Sequence, residues 1–260
     1  MNTSDVTGTA QQARHSPVVE KGARLGYAVT GLVHLLIGYL ALRIAFGGGG
    51  EQADQSGALS TLASNPGGAA LLWIAVVGFA LLAVWQVTVI ATDDEAKEKA
   101  VAAGKAVMYA AFAVTASRFA TGGSSDSREQ TQDFTATLME NPGGRIAVGL
   151  IGLAVIGGGG FHVYKGWTEG FLEDLAAHPG RWAVVAGRIG YVAKGVALIV
   201  VGGLFVVAAL KERASEATGL DGALRTLREA PYGKVLLTLV AIGIAAYGVY
   251  SFARARYAKV

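Results

Sequence analysis

The sequence predicts an all-α polytopic membrane protein, with six transmembrane helices arranged as three parallel two-helix repeats in pseudo-threefold symmetry. Three observations carry that expectation. Hydrophobic residues make up 52% of 260 and charged residues only 16%, with a mean hydropathy of +0.44, whereas a soluble domain carries about a quarter charged residues. Those few charges are kept out of long windows. And one corner is written three times, as Ser-Asn-Pro-Gly-Gly at 64–68, Glu-Asn-Pro-Gly-Gly at 140–144 and Glu-Ala-Pro-Tyr-Gly at 229–233, each just ahead of an apolar run.

Taken in chain order, Leu25–Leu42, Ala69–Thr92, Ile146–Tyr164 and Val235–Ala253 contain no Asp, Glu, Lys or Arg. A spanning helix needs about 20 mostly apolar residues. Two shorter windows complete the set: Ala106–Ser117, bounded by Lys105 and Arg118, and Gly195–Leu210, preceded by Lys194. Each reaches spanning length when its flanking cations snorkel to the headgroups. The first 24 residues are polar, so the reading expects no cleavable signal peptide and takes the first span as an uncleaved anchor. Zero Cys excludes disulfides, thiolate metal sites and Cys nucleophiles. With six spans, the side holding both termini carries 13 of the 22 Lys and Arg and the other side 9, which puts both termini in the cytoplasm.

The repeat explains the corner. Residues 24–45 (RLGYAVTGLVHLLIGYLALRIA) align with 188–209 (RIGYVAKGVALIVVGGLFVVAA) at an offset of 164, and 56–72 align with 221–237 at 165. A more diverged copy lies between them, with Asn141-Pro142-Gly143-Gly144 matching Asn65-Pro66-Gly67-Gly68. Each unit is a helix, an outer loop and a second helix, and an even number of spans per unit makes the repeats parallel. The organisation is a polar cytoplasmic tail over 1–22, repeat 1 over 23–92, a diverged repeat 2 over 93–168, an amphipathic linker over 169–187 and repeat 3 over 188–260. Ahead of each corner, apolar residues at helical spacing (Leu59, Leu62, Ala63; Phe134, Leu138, Met139; Leu220, Leu224, Leu227) predict a short amphipathic helix at the interface. Asn65 and Asn141 are expected to N-cap the returning spans. Pro66, Pro142 and Pro231 fall where a missing donor costs nothing.

With Arg24, Gly26, Tyr27, Gly57-Ala58-Leu59, Pro66 and Gly68, then Arg188, Gly190, Tyr191, Gly222-Ala223-Leu224, Pro231 and Gly233, the chain resembles a bacterial membrane family known as domain of unknown function 1206. The middle copy offers Lys105 and Tyr109 but no Arg-x-Gly-Tyr. The resemblance covers nearly the whole chain from about residue 22 and implies a six-helix protein of the bacterial cytoplasmic (inner) membrane. It brings no activity and no catalytic residues.

Polar residues inside spans are the candidates for chemistry. His34 lies about 14 Å into the first span and His162 near the inner end of the fourth. Two intramembrane imidazoles suggest haem ligation, but their depths differ by about 9 Å and they occupy different repeat positions: His34 matches Tyr109 and Leu198, His162 matches Gln86 and Ser251. No haem or other cofactor is expected, and no metal site. Lys105 and Lys194 share one repeat position, with Thr30 in the first copy; Arg43 and Arg118 share another, with Val207 in the third. Around an axis such residues would form rings lining an anion-favouring path; alternatively all four cations snorkel to lipid phosphates. Gly157, Gly158, Gly159 and Gly160 in the fourth span suggest either a tight helix crossing or a broken segment lining a path. No phosphate loop, paired intramembrane carboxylates or metal-binding helix is present, so an enzyme is not expected, and the basic ends read as lipid anchors rather than nucleic-acid patches. Two functions remain: a non-enzymatic interaction or accessory subunit of a membrane complex, and a passive channel or facilitator for a small solute or anion along the pseudo-threefold axis. The partners are the lipid bilayer and, in the first reading, another membrane complex. The direction taken by Thr30, His34, Gln86, Thr88, Lys105, Thr115 and Lys194 separates the two.

Overall fold

The computed structural model describes residues 16–48, 50–93 and 95–259; the polar tail ahead of residue 16 lies outside them. Six helices are long and apolar enough to cross a membrane: α1 (Pro17–Ala45), α3 (Gly68–Thr92), α4 (Ala96–Ala120), α6 (Gly144–Trp167), α7 (Arg181–Lys211) and α9 (Gly233–Tyr257). The shortest has 24 residues, about 36 Å at 1.5 Å per residue, against a hydrocarbon core of about 30 Å. Between successive spans lie the short helices α2 (Gln55–Ala63), α5 (Ser127–Met139) and α8 (Gly219–Glu229). A 3₁₀ turn, Gly170–Asp174, follows α6.

Two elements begin earlier than hydropathy alone implies. Proline is tolerated in a first helical turn, and α1 starts at Pro17, with Glu20 and Arg24 paired one turn apart at 2.9 Å. Helix α7 starts at Arg181, so the end of the expected linker forms about the first two turns of a span. Of the expected amphipathic positions, Leu59, Leu62 and Leu224 are buried, but Phe134 is exposed and Thr135 takes the buried place on α5. The Thr135 hydroxyl donates to the Thr131 carbonyl at 2.7 Å, which removes the cost of burying it. Leu138 and Met139 pack on Val148, Phe205 and Ala208.

The described residues divide into two compact units, one formed by 16–31, 59–125 and 251–259, the other by 32–58 and 126–250. In the first, α1 and α3 meet through glycine: a Cβ on Gly26 would sit 2.4 Å from the Leu82 side chain and 2.6 Å from the Gly78 carbonyl. In the second, α7 and α9 meet the same way: a Cβ on Gly190 would sit 2.5 Å from the Tyr247 Cα, and one on Gly243 would sit 2.2 Å from the Ala193 Cβ. Gly26 and Gly190, Leu82 and Tyr247, Gly78 and Gly243 are the same repeat positions at offsets of 164 and 165. First and third hairpins therefore share one packing geometry. Helices α6 and α7 cross antiparallel through a second glycine set, Gly152 facing Gly202 and Gly159 facing Gly195.

The corner is a type II turn. In Asn65-Pro66-Gly67-Gly68 and Asn141-Pro142-Gly143-Gly144 the last N–H donates to the first carbonyl, at 2.9 Å in each case. The third residue has φ 79° in Gly67 and 78° in Gly143; proline second and glycine third is what this turn demands. In the third copy Tyr232 takes that left-handed place, at φ 60°. The following glycine is needed for space: a Cβ on Gly68, Gly144 or Gly233 would lie 1.6, 1.7 or 2.1 Å from the carbonyl oxygen of Leu62, Leu138 or Arg228. Asn65 and Asn141 do not cap the spans. Their Nδ2 groups donate back to the carbonyls of Thr61 and Thr137, at 2.6 and 2.9 Å, because each stands at the end of the preceding helix, two residues before the glycine that holds the cap position.

Tyr232→Gly should raise the midpoint of thermal unfolding in detergent, since it relieves about 1–2 kcal/mol of left-handed strain. Gly144→Ala should lower it by more than Gly143→Ala does, because only the former meets a carbonyl. Equal midpoints for the two alanine variants would contradict this account of the corner.

Candidate functional site

Two polar clusters stand out, both within the unit formed by 32–58 and 126–250. The first lies inside the spans. His34 on α1 packs on Tyr247 of α9 with ring centroids 4.8 Å apart. The Lys194 ammonium of α7 rests over the same ring, 4.4 Å from its centroid, an attraction between the cation and the negative ring face. Beside them opens a cavity of about 160 Å³ lined by His34, Lys194, Ala197, Val201, Leu220 and Ile244, among others. Tyr247 continues into an aromatic cluster, with Tyr191 at 5.3 Å, and Tyr191 in turn stacks on Phe171 at 5.2 Å. Phe171 is fully buried. It enters from the 3₁₀ turn, and its carbonyl accepts from the Tyr250 hydroxyl at 3.2 Å. The turn is held by Lys165 on Asp174 at 2.8 Å and by Arg188 on Glu169 at 3.3 Å.

His162 stacks on Tyr191 at 5.6 Å, and its Nδ1–H donates to the Gly158 carbonyl at 2.8 Å. The two histidines thus flank a pair of tyrosines in contact with each other. Each ring has its own tyrosine neighbour.

The second cluster caps the short inter-span helices. Asp221 on α8 is completely buried. Its carboxylate accepts from the Ala53 backbone N–H at 2.9 Å and from Arg225 Nε at 2.9 Å, and is paired with Arg128 of α5. All three repeats contribute to that one carboxylate. Asp54 caps α2 by accepting from the Gly57 N–H at 3.0 Å, and Asp126 caps α5 by accepting from the Glu129 N–H at 2.9 Å. Burial pushes the Asp54 carboxyl up to about 6; the Gly57 N–H opposes this and the neighbouring charges of Asp221 and Asp126 reinforce it. Burial also pushes Asp126 up, but the N–H of Glu129, the Gln52 side chain and Arg128 together outweigh it and hold the carboxyl below its ordinary value.

The other residues singled out in the sequence are dispersed. The Thr30 hydroxyl donates to the Gly26 carbonyl at 2.8 Å and Thr88 to Trp85 at 2.7 Å, each satisfied by its own helix. Gln86 is buried, Thr115 half-buried, and Lys105 and Arg118 exposed. Arg43 pairs with Glu51. Helix α6 is unbroken through Gly157–Gly160, and only Gly159 of the four touches α7. Sequence reasoning passed over the acidic cap entirely. Its one legible signal was local: Asp126-Ser127-Arg128-Glu129 has the spacing of a capping box.

Six apolar helices in three glycine-cornered hairpins define a polytopic α-helical membrane protein with internal repeats. The profile of the family described as Domain of Unknown Function (DUF1206) matches three times, over residues 25–89, 100–169 and 189–258. The chain belongs to this family. It is similar to the uncharacterized protein YxxB of Bacillus subtilis (strain 168), at 29% identity over 255 residues, covering 93% of this chain and 92% of the relative. No solved structure matches the chain.

A carboxyl raised from 3.8 to about 6 on folding gives stability that is complete below its unfolded value and lost as pH rises through the folded one. The unfolding midpoint should therefore fall between pH 4 and 7, by on the order of 2–3 kcal/mol of stability. Asp54→Asn keeps the acceptor for Gly57 and should flatten the profile over that interval. A variant as pH-dependent as the parent would place the titration elsewhere.

Proposed function

We propose that the protein is a non-enzymatic interaction subunit of a membrane complex in the bacterial cytoplasmic membrane, with both termini on the cytoplasmic side. What supports this reading is that α6 carries two glycine faces and uses one. On the first face, Cβ atoms on Gly152 and Gly159 would lie 2.8 and 2.7 Å from carbonyl oxygens of α7. That is how small residues let helices meet in lipid. On the second, Gly157 and Gly160, three residues apart on one side of the helix, have no atom within 4 Å of where a Cβ would stand. A helix-interior glycine costs about 1 kcal/mol relative to alanine, and a close-packed neighbour offsets that cost. The fitting occupant is a transmembrane helix of a partner protein that presents small residues of its own.

The test compares tagged parent, Gly157→Ala and the double variant Gly157→Leu, Gly160→Leu after purification from native membranes in mild detergent. A stoichiometric partner kept by the alanine variant and lost by the leucine variant is the expected result; an identical set in all three would refute the docking face. A differently tagged second copy distinguishes self-association, and a fluorescent protein fused to the C-terminus should fold and fluoresce in the cytoplasm. A second reading, a passive facilitator for a small solute or anion, is favoured by the cavity beside Lys194. It requires Lys194→Glu with Lys105→Glu to change ion preference in liposomes, and unchanged preference in active protein would end it.

A further inference from the structure

Lys194 lies within α7, about 20 Å along the helix from Arg181 and about 9 Å from Arg188 at 1.5 Å per residue. It is half-buried. None of the ion pairs among the described residues includes it. The face of Tyr247 supplies part of the missing negative charge, and His34 packs against that same ring. The adjoining cavity has a polar end formed by Lys194 and His34. The rest of its lining is Ile37, Ala197, Leu198, Val201, Leu220 and Ile244, with no carboxylate. Taking a cation out of water without a counter-charge is costly, and the space beside this half-buried one is lined to take an acid with an apolar tail.

Size narrows the class. At about 160 Å³ the cavity is comparable to the engineered apolar cavity of about 150 Å³ that admits benzene. Six or so heavy atoms fit. We propose that this cavity between α1, α7, α8 and α9 binds a small aliphatic carboxylate, its head on Lys194 and His34 and its tail against Leu198, Val201 and Leu220. The proposal requires neither the docking face on α6 nor any flux.

The experiment is isothermal titration of the full chain, reconstituted in nanodiscs of zwitterionic lipid, with sodium butyrate. Lys194→Gln removes the charge, and Val201→Phe fills the apolar end while keeping it; thermal melts of both confirm folding. The expected result is saturable binding of butyrate, weakened at least tenfold by each substitution, with no binding of n-butylammonium. Decanoate binding more tightly than butyrate would assign the site to a bilayer-derived fatty acid, and weaker binding to a free short-chain acid. Absence of saturable binding by both acids, or unaltered affinity in either folded variant, would overturn the proposal. The titration needs no partner protein and no transport assay, so its failure leaves the interaction reading standing, and loss of the α6 partner leaves the titration unaffected.

Discussion

In lipid, helices gain little by hiding apolar side chains from one another, because the surroundings are as apolar as leucine. What holds this fold together is backbone approach. Gly26 against Gly78, Gly190 against Tyr247, and the crossings of Gly152 on Gly202 and Gly159 on Gly195 all leave no room for a Cβ. At such range dispersion contacts accumulate over whole helix faces, and carbonyl oxygens of one helix lie against the next. The same requirement reappears at each corner, where Gly68, Gly144 and Gly233 press on a carbonyl of the helix just ended. The turn there ends the short helix and starts the returning span.

Duplication turns this constraint into chemistry. The positions that form an apolar contact in the first hairpin form a polar one in the third: Leu82 becomes Tyr247, and Thr30, which satisfies itself on Gly26, becomes Lys194. The backbone geometry is conserved because glycine conserves it. Side chains facing the same crossing can then diverge without rebuilding the fold. Tyr247 is at once the residue on which Gly190 packs and the platform for His34 and Lys194, so the interior cluster sits on one of the close glycine contacts of its hairpin.

Much of the fold was legible in the sequence, because uncharged windows and repeated Pro-Gly corners are local signals. The packing glycines of the first and third hairpins could be read as a repeat before their partners were known. The caps were misassigned, since an Asn before Pro-Gly satisfies both a span cap and a helix end on paper; only the left-handed φ of the next glycine decides it. The candidate sites were harder. Lys194 and His34 are 160 positions apart and come together beside Tyr247, a residue in an apolar run. The carboxylates were harder still, because Asp221 draws its partners from two other repeats and nothing in its neighbours announces burial.

The distribution of charge between these two places is itself informative. At the inter-span cap, where the chain needed buried charge, it placed acids and bases together: Asp221 is matched by Arg128, Arg225 and a backbone N–H, so the cluster is close to neutral and its geometry is fixed by hydrogen bonds. Within α7 the same chain placed Lys194 outside every ion pair among the described residues. A buried ion pair is tolerable because Coulomb attraction offsets desolvation, and the cap shows that such pairing is available to this fold. Lys194 is instead set over a tyrosine ring beside a cavity whose lining holds no carboxylate.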